Sequence, residues 1–249
     1  MKTYIEDWLK EEKAGFSGWD FSRLEGRTKE QAIPWDYKKI VVNALQKDMQ
    51  LLDMGTGGGE FLLTLGHPYE KTAVTEAWEP NVALCREKLE PLGIQVEQVF
   101  DDAVLPFEDG TFDLIINRHE AYDILEVKRI LKPGGLFITQ QVGGRNNEWL
   151  SSFLMSGYQS EYDGFGLVNE AEKFCEAGFN MLEQQEAFPY LRFYDVGAIV
   201  YYAKIIEWEF PGFSVEKQLE RLMELHGMVK KKGYVESKEH RFLIVAENS

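Results

Sequence analysis

Asp53 opens the segment Asp53-Met54-Gly55-Thr56-Gly57-Gly58-Gly59, in which glycine recurs at alternate positions. Leu51 and Leu52 precede it, and Phe61, Leu62, Leu63 and Leu65 follow. That order predicts a strand, a tight turn and the start of a helix. Glycine adopts positive φ and carries no Cβ, so such a turn lets bare backbone approach a ligand. A phosphate-binding dinucleotide loop would read Gly-x-Gly-x-x-Gly. Here the third place of that pattern is Glu60 counted from Gly55, or Leu62 counted from Gly57, so both frames fail. Acids at Asp53 and Glu60 would repel a pyrophosphate. They suit instead a ligand that carries an ammonium group, a sulfonium and a ribose.

About 20 residues past the loop, Thr72-Ala73-Val74-Thr75-Glu76 is a β-branched run ending in an acid. In dinucleotide folds an acid at this place binds the ribose hydroxyls, and a carboxylate can accept from both at once. A third strand is expected near Val96–Val99, before Asp101-Asp102-Ala103-Val104-Leu105-Pro106-Phe107. The turn Glu108–Thr111 then leads into an apolar fourth strand, Phe112-Asp113-Leu114-Ile115-Ile116. Further on, Arg129-Ile130-Leu131-Lys132-Pro133-Gly134-Gly135 ends a helix and turns into a fifth strand.

The glycine loop, Glu76, the Asp-Ala-x-x-Leu-Pro-Phe segment and Leu-Lys-Pro-Gly-Gly follow one another over residues 51 to 140. In that order they resemble the motifs of class I S-adenosylmethionine (SAM)-dependent methyltransferases. The resemblance implies cofactor contacts at Asp53, Gly55, Thr56, Gly57, Gly59, Glu76, Ala77, Ala103, Asn117 and Arg118. It also implies an acid that meets the adenine amino group. Counting back from Leu105 puts that acid on Asp101, which we favour slightly; counting from the Asp-Ala pair puts it on Asp102. The cofactor implied is SAM, with S-adenosylhomocysteine as product.

A length of 249 residues with 44% hydrophobic content suits one sizeable domain or a core with a lid. The formal net charge of −15 leaves no general basic footprint for a phosphate backbone, so nucleic acid is a disfavoured partner. Lys230-Lys231-Lys232 before Gly233 reads as a helix C-terminus, where cations complement the dipole. Cys85 and Cys175 lack metal spacing, as do His67, His226 and His240, so no metal is expected and a reduced, cytoplasmic protein is the simplest reading. No apolar signal core or membrane-length span is expected.

Strands near 50–54, 71–76, 95–99, 112–117 and 135–141 alternate with helices, which implies a mainly parallel sheet covered on both faces. A helix over 169–177, a sixth strand near 180–186 and a last strand at 240–246 complete seven. The fold expected is a Rossmann-like, doubly wound α/β domain spanning 1–249, with a SAM-binding core of about 36–186 plus 240–247. Cap segments 1–35 and 187–239 flank it: helical at the N-terminus over 4–12, and an insertion before the last strand with helices within 195–208 and 215–232. The resemblance implies that these caps roof the substrate pocket.

Methyl transfer from a sulfonium needs alignment and exclusion of water, and a base only where the nucleophile must lose a proton. Asn117-Arg118-His119-Glu120 ends the fourth strand, and His119 is the base candidate, with Glu120 and Tyr122 as secondary candidates. Arg118 could hold a carboxylate through its planar fork. Phe16, Trp19, Phe21, Trp35 and Tyr37 could wall the pocket, although core packing accounts for them more simply. The function expected is methyl transfer to a small or medium-sized acceptor. Alternatives are an RNA- or protein-directed methyltransferase and a SAM-binding protein without catalysis.

Overall fold

Leu51–Met54 and Thr72–Glu76 are buried at every position, as strands covered on both faces must be. The computed structural model describes residues 2–16 and 21–249. Its strands are β1 (Thr28–Glu30), β2 (Leu51–Met54), β3 (Thr72–Glu76), β4 (Gln95–Gln98), β5 (Phe112–Arg118), β6 (Leu131–Val142), β7 (Phe179–Ala187), β8 (Tyr190–Phe193), β9 (Val235–Lys238) and β10 (Arg241–Asn248). Seven of them form one sheet in the order β4-β3-β2-β5-β6-β10-β7. The pairs from β4 through β6 are parallel. The architecture is the expected mostly parallel, Rossmann-like sheet.

The residues gather into two compact units. One comprises 34–142, 166–186 and 242–249; the other comprises 1–33, 143–165 and 187–241. In the first, the helix Tyr37–Ala44 starts at Asp36, whose side chain accepts from Lys39 N–H, and delivers the chain to β2. Asp123 caps the helix Ile124–Ile130 in the same way. The Lys132-Pro133-Gly134-Gly135 turn does not precede a strand, as the sequence predicts, but lies inside β6. Phe112 pairs with Leu131 and Leu114 with Leu136, so the extra residues bulge out of the ladder. Gly134 has φ of +75°, and a Cβ on Gly135 would lie 2.9 Å from the Lys132 carbonyl.

The second unit holds the expected helices, Lys2–Glu12, Val196–Ile205 and Leu219–Lys232, the last ended by Gly233 at φ +87°. It also holds an antiparallel sheet, β1-β8-β9, that the sequence does not suggest. These strands are three or four residues long. Their alternation shows only in pairs: Leu191 and Phe193 point inward, while Arg192 reaches across to Glu236 at 2.7 Å. Trp8, Phe193, Ile199, Leu222 and Leu225 share its core, and Phe16 and Phe21 pack against them. Trp35 and Tyr37 belong to the other unit. Trp19 lies outside the described residues.

Candidate active site

From β2 the chain winds outward through β3 and β4, then returns to build β5 and β6 on the other side. Strand order therefore reverses between β2 and β5, and the loops after these two strands leave the sheet side by side. In open α/β sheets ligands bind at that crevice, beyond the carboxyl ends of the strands. The loops there carry Gly55–Gly59 and His119–Ala121, flanked by the loops after β3 and β4.

Gly55, Gly57 and Gly59 all take positive φ, at +64°, +65° and +78°, which a side chain would make costly. The space around them differs. A Cβ on Gly57 would meet nothing within 4 Å, whereas one on Gly55 would lie 2.6 Å from Glu120 Cβ. Gly57 thus presents bare backbone to open space, and Glu120 lies across Gly55. The helix Glu60–Leu63 starts directly after the loop.

Carboxyl groups converge on this loop. Asp53 is 5% exposed at the end of β2, where the Thr56 hydroxyl donates to its Oδ2 at 2.7 Å. Burial pushes its carboxyl up to about 7, with Glu76 adding to the rise and Thr56 and Arg118 opposing it. Glu76, also buried, ends β3. Its Oε2 accepts from Gly57 N–H at 2.9 Å, and its Oε1 accepts from the N–H groups of Ala77 and Trp78 at 3.0 Å. Glu76 therefore holds the glycine loop and the β3 loop together. Burial also raises the Glu120 carboxyl, and Asp102 and Glu76 contribute.

The two candidate adenine acids play different parts. Asp101 is exposed, and its Oδ1 accepts from Ala103 N–H at 3.0 Å, closing its own turn. Asp102 is partly buried, which raises its carboxyl, and its charge is felt at Glu120 beside Gly55.

At the end of β5, Arg118 stacks its guanidinium over the Phe61 ring, 4.6 Å from the centroid. Tyr37 packs on the same ring and donates its hydroxyl to the Asn117 carbonyl. Asn117 is fully buried; its Oδ1 accepts from Thr139 and Gln141 and its Nδ2 donates to the Ala121 carbonyl. Its amide braces the loop from beneath. Tyr122 donates to Glu170 and packs between Phe137 and Phe174, which is a core role. His119 adopts φ of +64°, and its Nε2 lies 3.1 Å from Gln140 Nε2. Ala77 and Ala103 are exposed in the flanking loops.

Gln140 and Gln141 were not among the predicted site residues. A signal for them exists in the sequence: Thr139-Gln140-Gln141 is a polar run closing the apolar strand Leu136-Phe137-Ile138. Polar side chains buried at the carboxyl end of a central strand need partners, and here they find them in the β5 loop. Among the described residues no group of three or more His, Cys, Asp or Glu could hold a metal ion, and no helix is long and apolar enough to cross a membrane.

Comparison with known proteins agrees with this geometry. Residues 52–139 match the family described as a methyltransferase domain. No curated protein matches the chain in sequence. Among solved structures, a candidate methyltransferase from Bacillus halodurans superposes with a TM-score of 0.57 at 18% identity, covering 86% of this chain and 98% of that one. A SAM-dependent methyltransferase from Aquifex aeolicus superposes with a TM-score of 0.51 at 16% identity over 94% of this chain and 100% of its own. A chain from the complex between the Haloferax volcanii Trm112 methyltransferase activator and a candidate methyltransferase gives 0.52 at 19% identity, covering 98% and 97%. At these identities the likeness is one of fold. The matched segment, residues 52–139, carries the sequence pattern of a methyltransferase domain, and the fold is one shared with solved methyltransferases.

Proposed function

We propose that this protein binds SAM at the β2–β5 crevice and transfers its methyl group to a small or medium-sized acceptor in a cytoplasmic setting. The observation that carries the reading is the charge around the glycine loop. Asp53, Glu76 and Glu120 crowd a turn whose backbone at Gly57 is open. A pyrophosphate would be repelled there, whereas a ligand with an ammonium and a sulfonium would relieve the mutual repulsion.

In this reading Asp53 faces the cationic end of the cofactor, Gly55, Thr56, Gly57 and Gly59 line it with backbone, and Glu76 accepts from the ribose hydroxyls. Ala77, Asp102 and Ala103 border the base, with Asp102 accepting from its amino group. Trp78, Phe100 and Val104 are exposed at the ends of β3 and β4, and that apolar surface suits a base ring. Arg118, stacked on Phe61, holds a carboxylate. SAM, when bound, supplies an activated methyl group on a good leaving group. What the chain contributes is orientation and a dry site.

A small acceptor is favoured over RNA by the net charge of −15. Incubating the protein with methyl-labelled SAM and a metabolite extract tests the reading. Label should appear in a small product; label only in RNA or protein fractions would move the assignment to a macromolecular acceptor.

A further inference from the structure

Trp35, Gln140 and His119 form a hydrogen-bonded chain beside the crevice. The Trp35 indole Nε1–H donates to Gln140 Oε1 at 2.8 Å, and Gln140 Nε2 stands 3.1 Å from His119 Nε2. Trp35 and Gln140 are buried.

The chemistry of the first member fixes the rest. An indole N–H only donates, so the end of the Gln140 amide that faces it is the oxygen. The other end is then the NH₂, which also only donates. The imidazole nitrogen it meets must therefore be the one with the lone pair. A neutral imidazole carries one proton, so that proton is on Nδ1.

The backbone reinforces the arrangement. His119 N–H donates to the Gln140 carbonyl at 2.9 Å, so one residue holds both the main chain and the ring of His119. The left-handed φ of His119, +64°, is strained for a residue with a side chain. Strain of this kind is kept where the surroundings over-determine a residue, and it clusters at functional sites.

We propose that Trp35 and Gln140 are positioning residues that lock His119 as its Nδ1–H tautomer, so that His119 is not the general base its place at the end of β5 suggests. Taking a proton at Nε2 would set two donors face to face and force the amide to turn away from Trp35. With no base at His119, the site suits a methyl acceptor that brings its own unprotonated electron pair, as a carboxylate, thiolate or neutral amine does. That corollary rests on the methyltransferase reading; the tautomer does not.

The test is ¹⁵N NMR of the full chain labelled at histidine ring nitrogens, with the His119 signals assigned by their loss in His119→Gln. In the native protein at neutral pH, Nε2 should show the resonance of an unprotonated ring nitrogen and Nδ1 that of a protonated one. In Gln140→Glu the new carboxylate accepts rather than donates, so Nε2 should become protonated. In Trp35→Phe the amide loses the donor that orients it, and the Nε2–H form should appear. Signals of His67, His226 and His240 report whether each variant is folded, and the native spectrum needs no variant to be read. An Nε2–H tautomer or an imidazolium in the native protein overturns the proposal, as does a folded Gln140→Glu or Trp35→Phe with unchanged His119 signals. Because the readout involves no methyl transfer, a protein inactive with SAM would leave this result standing, and the reverse also holds.

Discussion

The backbone N–H of Gly57 donates to Glu76 Oε2 at 2.9 Å, tying the loop after β2 to the end of β3. In this arrangement a residue proposed to bind the ribose also sets the shape of the glycine loop. Glu76→Ala should therefore have two effects. SAM affinity should fall by one to two orders of magnitude, about 1.5–3 kcal/mol for hydrogen bonds to a charged group. Stability should fall as well, because the Gly57, Ala77 and Trp78 N–H groups lose their acceptor; ~1–2 kcal/mol would lower Tm by roughly 2–8 °C. Calorimetry with SAM and thermal melts of the free protein check the two separately. A drop in Tm with unchanged affinity would confine Glu76 to a structural role.

Gly57 and Gly55 should respond to substitution for different reasons. A side chain at Gly57 enters open space, so Gly57→Val should fold, at a cost of about 1–3 kcal/mol for its positive φ, and should lose SAM binding altogether. At Gly55 a Cβ meets Glu120 directly, so Gly55→Ala should be rescued in part by Glu120→Gly, which clears the contact. Native SAM affinity in Gly57→Val would remove the loop from the cofactor site.

The Asp53 carboxyl, raised to about 7 by burial, gives the site a pH dependence whose sign is fixed. Its folded value lies above the ordinary 3.8, so protonated Asp53 favours the folded state. The stabilisation is complete below about 3.8 and is lost as pH rises through about 7. A cationic ligand requires the ionised form, so SAM affinity should rise with pH between about 5.5 and 7.5, by at most tenfold per unit, and then level. Asp53→Asn should melt higher than the native protein at pH 8 without ligand, and should bind SAM weakly at every pH. A native affinity flat across that range would separate Asp53 from the ligand's charge.

Asp101 and Asp102 should separate cleanly. Asp102→Ala should weaken SAM binding by about 1.5–3 kcal/mol, whereas Asp101→Ala should mainly loosen the turn that its carboxylate closes at Ala103. Titration of both variants with SAM decides it, and a large loss in Asp101→Ala alone would reverse the assignment.

Much of the sheet was legible because its signals are local. The apolar strands, the glycine spacing and the acid at Glu76 are each contained in a few adjacent residues, and so is the helix end at Lys230–Gly233. Relations across the sheet were not. Trp35 and Gln140 are far apart in sequence, and nothing in either neighbourhood says that an indole fixes the direction of that amide. Asp101 and Asp102 look equivalent as letters; a turn gives one of them to the backbone and half-buries the other. The strands β1, β8 and β9 escaped because three or four residues carry too little alternation to be distinguished from a loop. The bulge in β6 escaped because Pro-Gly-Gly reads equally well as a turn between elements and as an irregularity inside one.

Calorimetric titration of the full chain with SAM, S-adenosylhomocysteine and NAD tests the central claim most directly. SAM and S-adenosylhomocysteine should bind with micromolar affinity, about −8 kcal/mol, and NAD should neither bind nor compete. Absence of binding by both sulfur ligands, or tight binding of NAD, would contradict the assignment of the crevice between β2 and β5.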